Sequence, residues 1–187
     1  MRQCLYTAFS QNGDYMKCKH YIVNKLHPLP PGYYPADLVK CSIPFDCAGF
    51  SQKKCICAIA DHHLEKLYLA ALEDGIRIYG ISAFRSYQRQ EEIYLDSIKT
   101  KGAEHTARYI APPGYSEHQT GLAIDVSCEA VNFELTEEFA DTPEGIWLAK
   151  YAHQFDFRLS YPKDNTEGYA YEPWHICYAC KDARFYV

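Results

Sequence analysis

Two short segments hold the residues best suited to chemistry. In Gly114-Tyr-Ser-Glu-His-Gln-Thr-Gly-Leu-Ala-Ile-Asp125, His118 and Asp125 stand seven positions apart with Gly121 between them. Fifty residues after Asp125, Glu172-Pro-Trp-His175 adds a second histidine, with a glutamate three positions before it. Two imidazoles and one carboxylate form a three-ligand set for zinc, and a catalytic zinc site keeps its remaining position open for water. A spare glutamate such as Glu172 then acts as base, taking a proton from water and passing it to the leaving amine. Short spacings of this kind also match by accident. On spacing alone the plainer reading makes His118 a loop residue, Asp125 a turn or cap acceptor and Glu172 a surface charge.

The surrounding elements decide whether these residues meet. Leu122-Ala-Ile-Asp-Val126 alternates as a strand does, with Asp125 on the face opposite Ile124 and Val126. Tyr169 to about Tyr178 reads as a final strand, and Phe155 to Tyr161 as another, separated by a polar turn over Pro162–Gly168. If the strands of Asp125 and His175 are neighbours, the two ligands meet, and His118 swings to the same side from the loop just before its strand. Ile59, Leu64, Leu67, Tyr68, Ala71 and Leu72 recur at helical spacing over about Ala58–Asp74, with Gly75 as a stop. Ile76–Ala83 reads as a short strand. Ser86 caps a helix over about Tyr87–Thr100 that Gly102 ends, and 103–111 predicts a further short helix. Thr142-Pro143-Glu144 opens a helix running to about His153. Four prolines and a glycine in Tyr21–Val39 exclude a helix and predict an extended arm over the surface, followed by a cysteine-bearing loop over 40–57. The fold class that follows is α+β: a small central antiparallel sheet carrying the zinc site, flanked by helices, with an extended N-terminal arm. The expected organisation is a single domain, with a cysteine-rich arm over 1–57 packed on a core over 58–187.

Composition bounds the partners. A chain of 187 residues with 48% apolar and 15% aromatic residues has ample material for one core. A net charge of -5 and a pI near 5.9 leave no basic patch, so no nucleic-acid partner is expected. No run of eighteen apolar residues occurs, so no transmembrane segment is expected. Met1–Ser10 lacks the apolar core of a signal peptide, which fits a cytoplasmic chain or one whose leader has been removed. Of nine cysteines, six (Cys4, Cys18, Cys41, Cys47, Cys55 and Cys57) lie in the first 57 residues. They read either as a disulfide-stapled entry segment or as buried free thiols, and both readings stay open. A monomer is expected.

The ordered pattern is more specific than its parts. Ser116-x-His118-x-x-Gly121-x-Ala123-x-Asp125 with Glu172-x-Trp174-His175 resembles the zinc D-alanyl-D-alanine carboxypeptidases of the VanY type. Their wider group also contains lysostaphin-like peptidases and the hedgehog signalling domain. Val23-Asn-Lys-x-His-Pro-Leu-Pro30 with Tyr34-x-x-Asp37-Leu-Val39 is similar to the family's N-terminal arm, and Ser82-Ala-Phe-Arg-Ser-Tyr-x-x-Gln90 to its Ser-Gly-Tyr-Arg-Ser segment. The resemblance implies zinc on His118, Asp125 and His175, with Glu172 as catalytic base. It implies that Arg85 binds the substrate's terminal carboxylate or stabilises the developing oxyanion, for which a guanidinium is suited. Ser116 and Gln90 would line the substrate site, with Tyr87 and Trp174 as walls. Arg85 also fits a structural ion pair, and Tyr87 and Trp174 also fit core packing. The chain departs from the family at Ala83, Phe84 and Asp156, and most after His175, where Cys177 stands in place of an arginine and Cys180 follows.

The implied activity is removal of the C-terminal D-alanine from peptidoglycan stem peptides or their precursors. An L,D-carboxypeptidase acting on the tetrapeptide stem shares every one of these motifs. An endopeptidase needs room beyond the leaving residue, and Glu-Pro-Trp-His favours the carboxypeptidases. A non-catalytic zinc-bearing domain is expected to have lost its base, whereas Glu172 is present. A peptidoglycan substrate favours an extracytoplasmic location.

Overall fold

The computed structural model describes residues 21–179. The expectations for residues 1–20, and for Cys4, Cys18 and Cys180, lie outside that range. Among the described residues, two antiparallel sheets and four α-helices follow one another. Strand β1 (Leu38–Lys40) pairs with β2 (Cys55–Cys57), and β2 runs directly into helix α1 (Ala58–Glu73). Strand β3 (Tyr79–Ser82), helix α2 (Tyr87–Lys101) and helix α3 (Ala103–Tyr109) come next. Strand β4 (Ala123–Ser127), helix α4 (Pro143–Tyr151), strand β5 (Phe157–Leu159) and strand β6 (His175–Tyr178) follow. The second sheet has the order β3-β4-β6-β5, with every pairing antiparallel.

The local chemistry explains most of these boundaries. Ala60, Leu64, Leu67 and Ala71 form the buried stripe of α1, and Gly75 ends it with a φ of 76° that suits glycine. The Ser86 hydroxyl accepts from the Arg89 N–H at the start of α2, and the Thr142 hydroxyl accepts from the Gly145 N–H at the start of α4. Helix α4 stops at Tyr151, two residues short of the expected end, because a 3-10 turn over Ala152–Phe155 tightens the chain into β5.

Two expectations change. The stretch 40–57 is not all loop, since Cys55–Cys57 pairs with Leu38–Lys40. The final strand is only His175–Tyr178, and the residues from Tyr169 to Trp174 form no strand. Pro173 lacks the N–H that a ladder requires there.

The sheet separates core from chemistry by its pleat. Ile124 and Val126 of β4, Ile176 and Tyr178 of β6, and Phe157 of β5 join the buried cluster that includes α1 residues Ala60, Leu64 and Leu67. Asp125, His175, Cys177 and Arg158 alternate with these residues and share the opposite face, with Asp125 opposite His175 and Arg158 opposite Cys177. The N-terminal arm is fastened over this face. Lys25 Nζ donates to the carbonyls of Ala107 (2.9 Å) and Gly168 (2.6 Å) and lies 4.1 Å from the centre of the Tyr169 ring. The Leu29 N–H bonds the carbonyl of Gly114, at the entry to the His118 segment.

The cysteines take the thiol reading as far as the structure reaches. Cys41, Cys47, Cys128 and Cys177 are free thiols, and of the six described cysteines only Cys47 is exposed. Among the described residues no helix is long and apolar enough to cross a membrane.

Candidate metal centre

The His118 segment is built to bury polar groups without leaving them unpaired. Residues Glu117–Thr120 form a 3-10 turn, and Ser116 through Thr120 are all buried. Gln119 Oε1 accepts from the Gly114 N–H (2.7 Å). Thr120 Oγ1 donates to the Glu117 carbonyl and accepts from the Leu122 N–H. Gly121 then reverses the chain with φ 73°, and a Cβ there would lie 2.8 Å from Cys57 Sγ and 3.0 Å from Leu38 Cδ2. Only glycine meets both the left-handed backbone and this close approach. The turn delivers His118 beside β4, and the Arg85 N–H bonds its carbonyl, tying the chain after β3 to the same place.

His118, Asp125 and His175 converge, with one ligand atom from each lying within 4.8 Å of the others, and all three side chains are buried. His118 Nε2 is 3.1 Å from Asp125 Oδ2, and His175 Nδ1 is 2.9 Å from Asp125 Oδ1. The far nitrogens are engaged elsewhere: His118 Nδ1 lies 2.7 Å from the Ala83 carbonyl, and His175 Nε2 lies 2.9 Å from Glu117 Oε2. A carbonyl or carboxylate oxygen only accepts, so each far nitrogen carries the proton. In the neutral rings the two nitrogens facing Asp125 are then lone pairs set against carboxylate oxygens. That arrangement repels unless positive charge lies among the three, supplied by a proton on His175 or by a bound cation, and two imidazoles plus a carboxylate suit a divalent transition-metal ion.

The electrostatics follow the same geometry. Burial opposes ionisation of Asp125, but His118 and His175 outweigh it and hold the carboxyl well below the usual range. Burial lowers the His118 value, against the pull of Asp125. For His175 burial is overcome by the hydrogen bonds and charges of Asp125 and Glu117, which push it up to about 10. Glu172 sits at the rim of the cluster, with its side chain 13% exposed and Oε2 3.9 Å from His175 Nδ1. Burial raises its carboxyl to about 7 even though His175 and Arg85 pull the other way.

The remaining expected residues divide between rim and interior. Arg85 Nη2 is 3.9 Å from Asp125 Oδ2, so its guanidinium reaches the cluster. Gln90 does not line an open surface. It is fully buried, accepting from Arg85 Nη1 (2.9 Å) and donating to the Ala111 carbonyl (2.7 Å), so it holds Arg85. Ser116 is buried just before the 3-10 turn, Trp174 is buried and packs into the core cluster, and Tyr87 is half-exposed at the start of α2. Four further residues around His175 carry no expectation from the sequence: Glu117, Arg158, Ser160 and Tyr161. Glu117 Oε1 accepts from Arg158 Nη2, and Glu117 Oε2 accepts from Ser160 Oγ as well as from His175. The Tyr161 ring packs 4.9 Å from the His175 ring. The only traces of this set in the sequence are the one charge beside His118 in an otherwise uncharged turn and the alternation Phe157-Arg158-Leu159, and neither indicates a role by itself. Arg158 lies directly across the β5–β6 ladder from Cys177, the position at which the family resemblance implies an arginine.

The sequence model of the VanY family, described as D-alanyl-D-alanine carboxypeptidase, matches residues 53–181. The chain belongs to the VanY family. Within it, a putative carboxypeptidase of Bacillus subtilis, YodJ, is 38% identical over 164 residues, which is 87% of this chain. The chain spans 60% of that relative's length. Among solved structures, the LdcB LD-carboxypeptidase superposes with a TM-score of 0.81 at 39% identity, covering 86% of this chain and 76% of that one. The vancomycin-resistance D,D-pentapeptidase VanY, a point variant in complex with Zn(II), superposes with a TM-score of 0.69 at 27% identity, covering 88% and 89% of the two chains.

Proposed function

We propose that this VanY-family chain is a zinc-dependent carboxypeptidase that removes the C-terminal D-alanine from peptidoglycan stem peptides, acting on D-alanyl-D-alanine ends. The observation that carries the reading is the buried convergence of His118, Asp125 and His175, flanked by Glu172 and Arg85 at 3.9 Å. His118 Nε2, an Asp125 carboxylate oxygen and His175 Nδ1 would hold the ion. Zinc, when bound, supplies Lewis acidity that lowers the pKa of water and polarises a carbonyl.

The chain's own residues do the rest. Glu172 takes a proton from the attacking water as the new C–O bond forms, and gives it to the departing amine as the C–N bond breaks. No covalent link to the protein is made. Arg85, steadied by Gln90, binds the terminal carboxylate of the leaving D-alanine or the oxyanion that develops on the scissile carbonyl. Ser116, Tyr87 and Trp174 form the near walls of the substrate site.

A second reading rests on a specific observation. The LdcB LD-carboxypeptidase is more similar to this chain, in both identity and superposition, than the D,D-pentapeptidase is. An L,D-carboxypeptidase cleaves the terminal D-alanine of a tetrapeptide stem, one residue further in than the D,D cut, with the same residues in the same roles. The deciding experiment incubates zinc-loaded protein with muramyl pentapeptide and with muramyl tetrapeptide and follows D-alanine by mass spectrometry. Release from the pentapeptide supports the D,D reading, and release from the tetrapeptide alone selects the L,D one. Release from neither contradicts both.

A further inference from the structure

We propose that Glu117 is a positioning residue for the metal centre: its carboxylate, anchored by Arg158 and Ser160, fixes the ring and tautomer of His175. The inference rests on the zinc reading of His118, Asp125 and His175 and adds a group that touches neither ion nor substrate.

The two glutamates near His175 lie on opposite edges of its ring. Glu172 approaches Nδ1 at 3.9 Å, on the side of Asp125. Glu117 meets Nε2 at 2.9 Å, on the far side. Both Glu117 oxygens are occupied, Oε1 by Arg158 Nη2 and Oε2 by Ser160 Oγ and His175 Nε2. With its side chain only 5% exposed and both oxygens engaged by protein donors, Glu117 is not placed to activate water, so it is no second base. Its effect runs through His175. Accepting from Nε2–H leaves the lone pair on Nδ1, the atom turned toward Asp125, and a carboxylate behind an imidazole raises the ring's strength as a ligand. His118 is treated alike, with Nδ1 bonded to the Ala83 carbonyl and Nε2 toward Asp125. The difference is charge: one ligand is backed by a neutral carbonyl, the other by a carboxylate.

Three elements build this support. Glu117 comes from the turn before β4, Arg158 from β5, and Ser160 from just beyond β5. Arg158 is half-exposed, so the group is not a sealed ion pair filling the interior. A merely structural role would lower the melting temperature of the metal-free protein and leave the metal site unchanged once folded.

The test measures zinc dissociation constants by competition with a chromophoric chelator for the wild type, Glu117→Gln, Glu117→Ala and Ser160→Ala. The visible absorption of the cobalt(II) forms is recorded alongside. Glu117→Ala is expected to weaken zinc binding about 10- to 100-fold, the range for loss of an outer partner of a ligating histidine. Glu117→Gln, which keeps an acceptor oxygen but not the charge, should fall between it and the wild type, with altered cobalt bands in both. Ser160→Ala, the mildest change should Glu117→Ala fail to fold, is expected to lose roughly 2- to 10-fold, the worth of one hydrogen bond. Wild-type zinc affinity and cobalt spectra in the Glu117 variants, or in Ser160→Ala where those do not fold, would overturn the proposal while leaving the metal centre standing. A wild type that binds no zinc would overturn the metal centre and this inference together.

Discussion

Glu172 and Arg85 share the rim of one buried cluster, yet their substitutions should fail in different ways. Glu172→Gln keeps the shape of the side chain and removes the base. Turnover is expected to fall about 10²- to 10⁴-fold, while zinc content measured by atomic emission stays at the wild-type level. Arg85→Lys keeps the charge but not the planar fork that Gln90 orients through Nη1. If the guanidinium holds the terminal carboxylate, KM rises with kcat nearly unchanged; if it steadies the oxyanion, kcat falls about 10²- to 10³-fold. Either split places Arg85 at the substrate, whereas unchanged kinetics in both parameters would return it to a structural ion pair with Asp125. The His118, Asp125 and His175 set was legible only through the ordered family pattern, because on spacing alone His118 and Asp125 read equally well as a loop residue and a cap acceptor. Glu117 was not. A buried carboxylate beside His118 becomes meaningful only when β5 and β6 bring Arg158 and His175 to it.

At the scale of elements, the centre depends on how tightly the His118 turn joins β4. Gly121 makes that join, with φ 73° and no room for a Cβ against Cys57 and Leu38. Gly121→Ala is expected to cost about 1–3 kcal/mol of stability, read as a lower urea midpoint, with weaker zinc binding because His118 shifts. An unchanged midpoint would mean that the turn relaxes freely and does not position the ligand. Helix starts were readable because Ser86 and Thr142 announce their caps, and both hydroxyls do accept the expected N–H groups. The β1–β2 pairing was not readable. Each of its strands is only three residues long, too short for alternation to stand out, and the pairing joins Leu38–Lys40 to Cys55–Cys57 across a loop that sequence periodicity does not encode. The final strand was drawn too long for the opposite reason: a run of apolar and aromatic residues around Pro173 looks extended, but a proline breaks the ladder and leaves four residues to carry His175.

For the molecule as a whole, the catalytic face and the core face of one sheet must stay in register, and α1 is the element that holds the core face. His63 on α1 reports on that packing. Burial lowers its pKa below the ordinary 6.5 although Asp156 draws it upward, and Lys66, His62 and the Tyr178 ring also surround it. The unfolded chain therefore takes up a proton at a pH where the folded chain does not. The contribution is fully present above pH 6.5 and is lost as pH falls from there through the folded value. His63→Gln is expected to flatten the decline in melting temperature between about pH 7 and pH 5, and a decline as steep as in the wild type would show that other groups set it. The overall class was accessible from the sequence because the motifs lie on alternating strands whose apolar partners face inward. How the arm seats was not, since Lys25 reaches Ala107 and Gly168 across distances in sequence that no local pattern spans. The central claim is that one zinc ion held by His118, Asp125 and His175 is required for release of D-alanine from a stem peptide. The direct measurement strips the protein with a chelator and titrates zinc back while D-alanine is counted. Activity should vanish on stripping, return in proportion to added zinc up to one equivalent, and fail to return in His175→Ala. Undiminished release by the stripped protein, or full recovery in the His175 variant, would contradict it.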